Sequence, residues 1–202
     1  MSVAGAINGA LRPVPPWVLY VLGVVPAVLL VVQLFAGRLG VDPVRSLEHA
    51  TGLYALQFLI AGLCITPLRR WTGVNLIRWR RALGLIGFGY VVLHLGIWTA
   101  LDLQFRWGQI GADIIKRPYI TVGMIGFLLL VPLAWTSTDS ALRRMGAAAW
   151  RRLHLLVYPA VLAGAIHYVW LVKSWPIEPI LYLLAVASLV GLRVVWWARR
   201  GA

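Results

Sequence analysis

Few side chains in this chain can do chemistry: four histidines, one cysteine and six acidic residues among 202. The histidines are His49, His94, His154 and His167. Two of them, His94 in GYVVLHLGIWTA and His167 in RRLHLLVYPAVLAGAIHYVW, lie inside long apolar runs. An ionisable side chain is costly in such a place, so a function is the first reading of it. His94 lies thirteen residues beyond Arg81, and His167 fifteen beyond Arg152. At about 1.5 Å of rise per helical residue, both sit roughly 20 Å from a charged edge, at one depth. Two neutral imidazoles at matched depth on separate helices are suited to ligate one haem iron from both sides. The competing reading is a pair of polar residues hydrogen-bonded between helices.

Neighbouring residues fit a haem pocket. Gly84, Gly87 and Tyr90 lie below His94, and Gly164 lies one turn below His167. Small residues let a flat macrocycle approach the backbone, although helix packing uses them equally well. His154 lies two residues past Arg152, at the inner edge. It is open to three readings: ligand of a second, inner haem, flavin contact, or headgroup hydrogen bond. A second haem would need a partner ligand, and the position fourteen residues below His94 is Arg80. Arginine stays charged and is a poor iron ligand, but it suits phosphate and carboxylate. One haem is therefore expected, with Arg78, Arg80, Arg81 and His154 contacting a flavin or electron donor. His49, in SLEHATG at the outer mouth, is expected in a loop, with contact to an outer haem edge as its functional reading.

The elements that must position these residues follow from composition. Hydrophobic residues make up 61% of the chain and charged ones 12%, too little polar surface for a soluble domain of this length. The expected class is all-α, a polytopic membrane helix bundle forming a single transmembrane domain. Six runs approach the roughly 20 residues that cross a bilayer: 17–36, 52–68, 82–101, 119–136, 153–172 and 177–197. The 19 basic residues divide unevenly between the two sides of such a bundle. If the N-terminus is cytoplasmic, thirteen face inward, and six (Arg38, Arg45, Arg106, Lys116, Arg117 and Lys173) face outward among five acids. The positive-inside rule then gives both termini inside. Tryptophans and tyrosines near span ends, among them Trp17, Trp107, Tyr119, Trp170 and Trp175, suit interfacial anchoring.

Several functions are disfavoured. The net charge of +13 marks span ends rather than a basic patch, so nucleic acid is not an expected partner. No phosphate-binding glycine loop occurs, and the loops are too short for a nucleotide-binding fold. A single cysteine, Cys64, rules out an internal disulfide. The first residues do not read as a cleaved signal peptide.

A set of segments then resembles a known family: DPVRSLEHATGLYAL (42–56), ITPLRR (65–70), IRWRRALGL (77–85), LHLGIW (93–98), KRPYITVG (116–123), WTSTDSALRRMG (135–146), WRRLHLLVY (150–158) and IHYVW (166–170). Single segments are weak, but the ordered set resembles the MsrQ family. These are haem-binding membrane subunits of bacterial methionine sulfoxide reductase systems, related to ferric reductase-like transmembrane proteins. The resemblance implies a b-type cytochrome of the bacterial inner membrane with His94 and His167 as haem ligands and His154 as an additional inner histidine. It implies FMN association and a cytoplasmic flavin reductase or membrane quinol as electron donor. The electron acceptor it implies is a periplasmic molybdenum-containing reductase of the MsrP type, which repairs oxidised methionines. Catalysis of that repair is not expected on this chain. Two other functions stay open: a stand-alone ferric or quinone reductase cytochrome, and a small haem-free transporter or assembly factor.

Overall fold

The computed structural model describes residues 2–172 and 176–201, and the described residues contain helices and no strand. In chain order the helices are α1 (Val3–Leu11), α2 (Trp17–Phe35), α3 (Pro43–Thr72), α4 (Arg80–Ile97), α5 (Trp107–Lys116), α6 (Pro118–Trp135), α7 (Asp139–Leu153), α8 (Val157–Leu171) and α9 (Ile177–Gly201). Among the described residues six segments are long and apolar enough to cross a membrane: Trp17–Phe35, Pro43–Thr72, Ile77–Asp102, Pro118–Trp135, Asp139–Leu171 and Ile177–Arg199. Six were expected, and each segment overlaps one of the expected runs, in order. Lys173, placed with the outer charges, and Trp175, placed among the anchors, lie outside the described residues.

The boundaries depart from expectation where capping chemistry decides them. α3 begins nine residues before the expected span because Asp42 accepts from the Arg45 N–H at 3.0 Å and Pro43 occupies the first helical turn. His49 is therefore a helical residue, and its expected place in a loop is corrected. α3 ends at Gly73, whose left-handed φ of 78° lets its N–H close on the Arg69 carbonyl. The connection 104–118 holds α5, entered through a π-helical turn at Trp98–Asp102 and two left-handed residues, Gln104 and Phe105. α7 bends at Gly146, where φ is 76°, and passes through a tight turn at His154–Leu156 into α8.

The chain packs as two compact units that divide between Phe105 and Arg106. In the first, α3 lies antiparallel along α4, and α2 packs on α4. Gly87 admits Leu59 so closely that a Cβ would stand 2.9 Å from the Leu59 Cγ. Gly23 of α2 likewise faces Ile86 of α4. The buried Tyr90 hydroxyl donates to the Gly23 carbonyl at 2.7 Å and accepts from the Ala27 N–H at 3.0 Å. Those two backbone groups bond each other directly in an uninterrupted helix, so Tyr90 is built into the α2 ladder beside Pro26. α1 is tied to the α3–α4 connection through Asn8, which donates to the Gly73 carbonyl and accepts from the Asn75 N–H. In the second unit α6 lies antiparallel along α8, with Gly126 against the Ala160 carbonyl, and α9 packs on α8.

Candidate functional site: two tethered imidazoles

His94 sits near the C-terminal end of α4, opposite the start of α3. Its Nδ1 lies 2.9 Å from the backbone carbonyl of Glu48. A carbonyl only accepts, so Nδ1 carries the proton, and in the neutral ring the lone pair is on Nε2. The carbonyl is reachable because of Gly52. Helical Cβ atoms tilt toward the N-terminus, so the side chain at i+4 leans back over the carbonyl at i. At Gly52 there is no such side chain, and the His94 ring occupies its place: an added Cβ would stand 3.2 Å from Nδ1 and 3.3 Å from Cε1.

The second unit repeats this arrangement with different residues. His167, near the end of α8, places Nδ1 2.7 Å from the carbonyl of Tyr119 at the start of α6. Four residues on, Gly123 lies under the ring, and a Cβ there would stand 2.9 Å from Nδ1 and 3.2 Å from Cε1. The Tyr119 ring flanks the imidazole at 6.2 Å between centroids. Both histidines are half-buried. Each is thus fixed in tautomer and orientation by a neutral backbone group, the arrangement that prepares imidazole Nε2 for a metal.

His154 shares the tautomer but not the setting. Its Nδ1 lies 3.0 Å from the carbonyl of Trp150, one turn back, and its ring stacks on the Trp150 indole with centroids 3.7 Å apart. Trp150 is itself anchored through Nε1 to the Thr136 carbonyl at 2.9 Å. Arg78 donates to the carbonyls of Leu11, Arg12 and Val14, and lies 4.4 Å over the Trp79 ring. It holds the chain between α1 and α2, so its role in the fold is structural. Arg80 is half-buried and Arg81 exposed.

The remaining candidates divide. Gly87 and Tyr90 are engaged in packing α4 on α3 and α2. Gly84 and Gly164 have nothing within 4 Å of an added Cβ. His49 borders a shallow hollow of about 330 Å³, together with Asp42, Arg45 and Ser46. Sequence reasoning missed Gly52 and Gly123, and with them the two carbonyls. Both glycines stand in the quoted segments HATG and YITVG, four residues after the acceptor in each case.

The chain is thus a multi-pass membrane protein that carries two histidines near helix ends, each hydrogen-bonded to a backbone carbonyl. The ferric reductase like transmembrane component family matches residues 49–165, a stretch that contains His49, His94 and His154. A Brucella anthropi protein named protein-methionine-sulfoxide reductase heme-binding subunit MsrQ is 45% identical over 197 residues, 95% of this chain and 89% of that protein. Proteins of the same name from Brucella ovis and Brucella canis are each 47% identical over 178 residues, 88% of this chain and 80% of theirs. No solved structure matches. The chain belongs to the ferric reductase-like transmembrane family and, within it, to the MsrQ proteins.

Proposed function

We propose that this chain is the haem b-bearing membrane subunit that delivers electrons to a periplasmic methionine sulfoxide reductase of the MsrP type, with His94 and His167 as the axial ligands. The observation that carries the reading is the pair of tethered imidazoles, each with its lone pair on Nε2. The donor set fits haem better than a protein-only metal site. Among the described residues no three His, Cys, Asp or Glu side chains cluster. A porphyrin brings its own equatorial nitrogens and asks the protein only for axial ligands. The pairing of these two histidines on one iron rests on their matched depth in the sequence. Gly84 and Gly164 lie on the helices that carry them, and a Cβ at either would meet nothing within 4 Å.

Bound haem supplies one-electron transfer at a potential set by its axial ligands and their hydrogen bonds. The chain's part is to hold the two rings, seal them in helix and keep Nδ1 protonated. With both termini cytoplasmic, the histidines lie in the outer half of the inner membrane, where a periplasmic partner can accept electrons. The partner, by this reading a molybdenum enzyme, performs the repair of methionine. FMN is supported only by the family resemblance and fits less well. Arg78 already serves three carbonyls, which leaves Arg80, Arg81 and His154 as its candidate contacts. A cytoplasmic flavin reductase or membrane quinol is the proposed donor.

The family's description, ferric reductase like transmembrane component, supports one other reading, a stand-alone cytochrome that reduces ferric ions. A reduced-minus-oxidised spectrum of the purified protein tests haem first. His94→Ala and His167→Ala are each expected to lose most of it while still inserting, and full haem in both would sink the ligand assignment. Electron delivery that needs an added MsrP-type reductase supports the proposed function over the stand-alone one. A spectrum without a Soret band would favour a haem-free transporter or assembly factor.

A further inference from the structure

The same device occurs once in each unit, built from unrelated residue types. A carbonyl in the first two turns of one helix, Glu48 or Tyr119, receives an imidazole from near the end of its antiparallel neighbour. The residue four positions after the carbonyl is glycine both times, and the ring lies where its Cβ would be. The sequence separations between acceptor and histidine, 46 and 48, are nearly equal. Packing glycines elsewhere in the chain face aliphatic side chains or backbone, as Gly87 faces Leu59 and Gly126 faces the Ala160 carbonyl. Gly52 and Gly123 face an imidazole.

We infer that Gly52 and Gly123 are positioning residues for the two histidines, each opening one backbone carbonyl so that it can fix the Nδ1–H tautomer and set the donor strength of Nε2. This rests on the haem reading above. The Nδ1–H···O=C bond raises the basicity of the ligating nitrogen, which stabilises ferric over ferrous iron and lowers the potential. A methyl group at either glycine pushes the ring off its carbonyl. The two positions differ in severity. At Gly123 the added Cβ comes within 2.9 Å of the ring's Nδ1, so the ring or helix must shift. At Gly52 the nearest approach is 3.2 Å, which a displacement of a few tenths of an ångström relieves.

The test uses the full-length haem-loaded protein in detergent. Gly123→Ala is expected to lower haem affinity about 10- to 100-fold, the usual effect of losing a group that orients a metal ligand. The remaining haem is expected to show a mixed high-spin spectrum that added imidazole returns to low spin. Gly52→Ala is expected to keep its haem and to raise the midpoint potential, by about 59 mV for each tenfold by which ferric affinity falls more than ferrous. Gly96→Ala and Gly191→Ala, where a Cβ meets nothing within 4 Å, are the controls for adding a methyl group to a helix. Unchanged spin state and potential in both Gly52→Ala and Gly123→Ala, with His94→Ala and His167→Ala losing haem, would overturn the inference and leave the ligand assignment standing. Full haem in the two histidine variants would overturn the ligand assignment itself. Haem lost from both glycine variants together with their helical circular dichroism, and not restored by imidazole, would also overturn the inference, because the glycines would then serve packing alone.

Discussion

Tyr90→Phe separates a pocket residue from a packing residue. The hydroxyl is buried and makes two hydrogen bonds to α2, at 2.7 Å to the Gly23 carbonyl and 3.0 Å to the Ala27 N–H. The ring would stay in place, stacked on Phe58 with centroids 5.5 Å apart and edge-on to Tyr54 at 5.6 Å. Hydrogen bonds between membrane helices average about 0.6 kcal/mol each, with a ceiling near 1.7 kcal/mol. Losing two should therefore cost about 1.2 kcal/mol. The cost is held down because the Gly23 carbonyl and Ala27 N–H can bond each other once the hydroxyl is gone. The folded-to-unfolded ratio should fall by somewhat under tenfold. Reversible unfolding in mixed micelles, followed by circular dichroism, measures that change, and the haem spectrum recorded on the same sample should not move. A shifted Soret band or potential with unaltered stability would refute the packing assignment and return Tyr90 to the haem pocket.

Three further expectations follow from the same geometry. Arg78→Ala should release α1 and the chain before α2, because three carbonyls lose their donor; hydrogen exchange at residues 3–14 should rise toward that of a frayed terminus. His154→Ala should leave the haem-to-protein ratio unchanged near one, and a reproducible ratio near two in the parent that halves in the variant would establish an inner haem. Reversing charges at Arg38, Arg45, Arg106 and Lys116 should slow electron delivery to a periplasmic reductase at low salt and less so at high salt. Rates insensitive to all four reversals would show that these basic residues take no part in docking the reductase.

The helices were legible in the sequence because spanning a bilayer imposes length and apolarity on each segment, and those leave a strong trace. The first turns of α3 were not, since Arg45, Glu48 and His49 interrupt the apolar run. Only Asp42 followed by Pro43 marks the start. α5 was hidden for a related reason: ten residues with Trp107, Asp113 and Lys116 read as a loop by hydropathy, although they form an amphipathic helix. His94 and His167 were visible as ionisable residues in apolar surroundings. Their partners were not, because a backbone carbonyl carries no residue signature. Glycine does carry one, but this chain has twenty, and nothing in spacing alone distinguishes Gly52 and Gly123 from Gly87.

The choice of acceptor has a physical consequence for how such a chain can vary. A carboxylate on Nδ1 would orient the ring more strongly but would place a charge in the hydrocarbon, at a cost of several kcal/mol. A backbone carbonyl performs the orientation with a neutral group that the helix already supplies. The residue bearing that carbonyl is then free to change, and the two positions are indeed glutamate and tyrosine. By the inference above, the constraint falls instead on the small residue one turn later and on the spacing of the helix pair that brings the ring to the carbonyl. The contacts that set this spacing, Leu59 on Gly87 in the first unit and Gly126 on Ala160 in the second, therefore govern the orientation of the imidazoles without touching them.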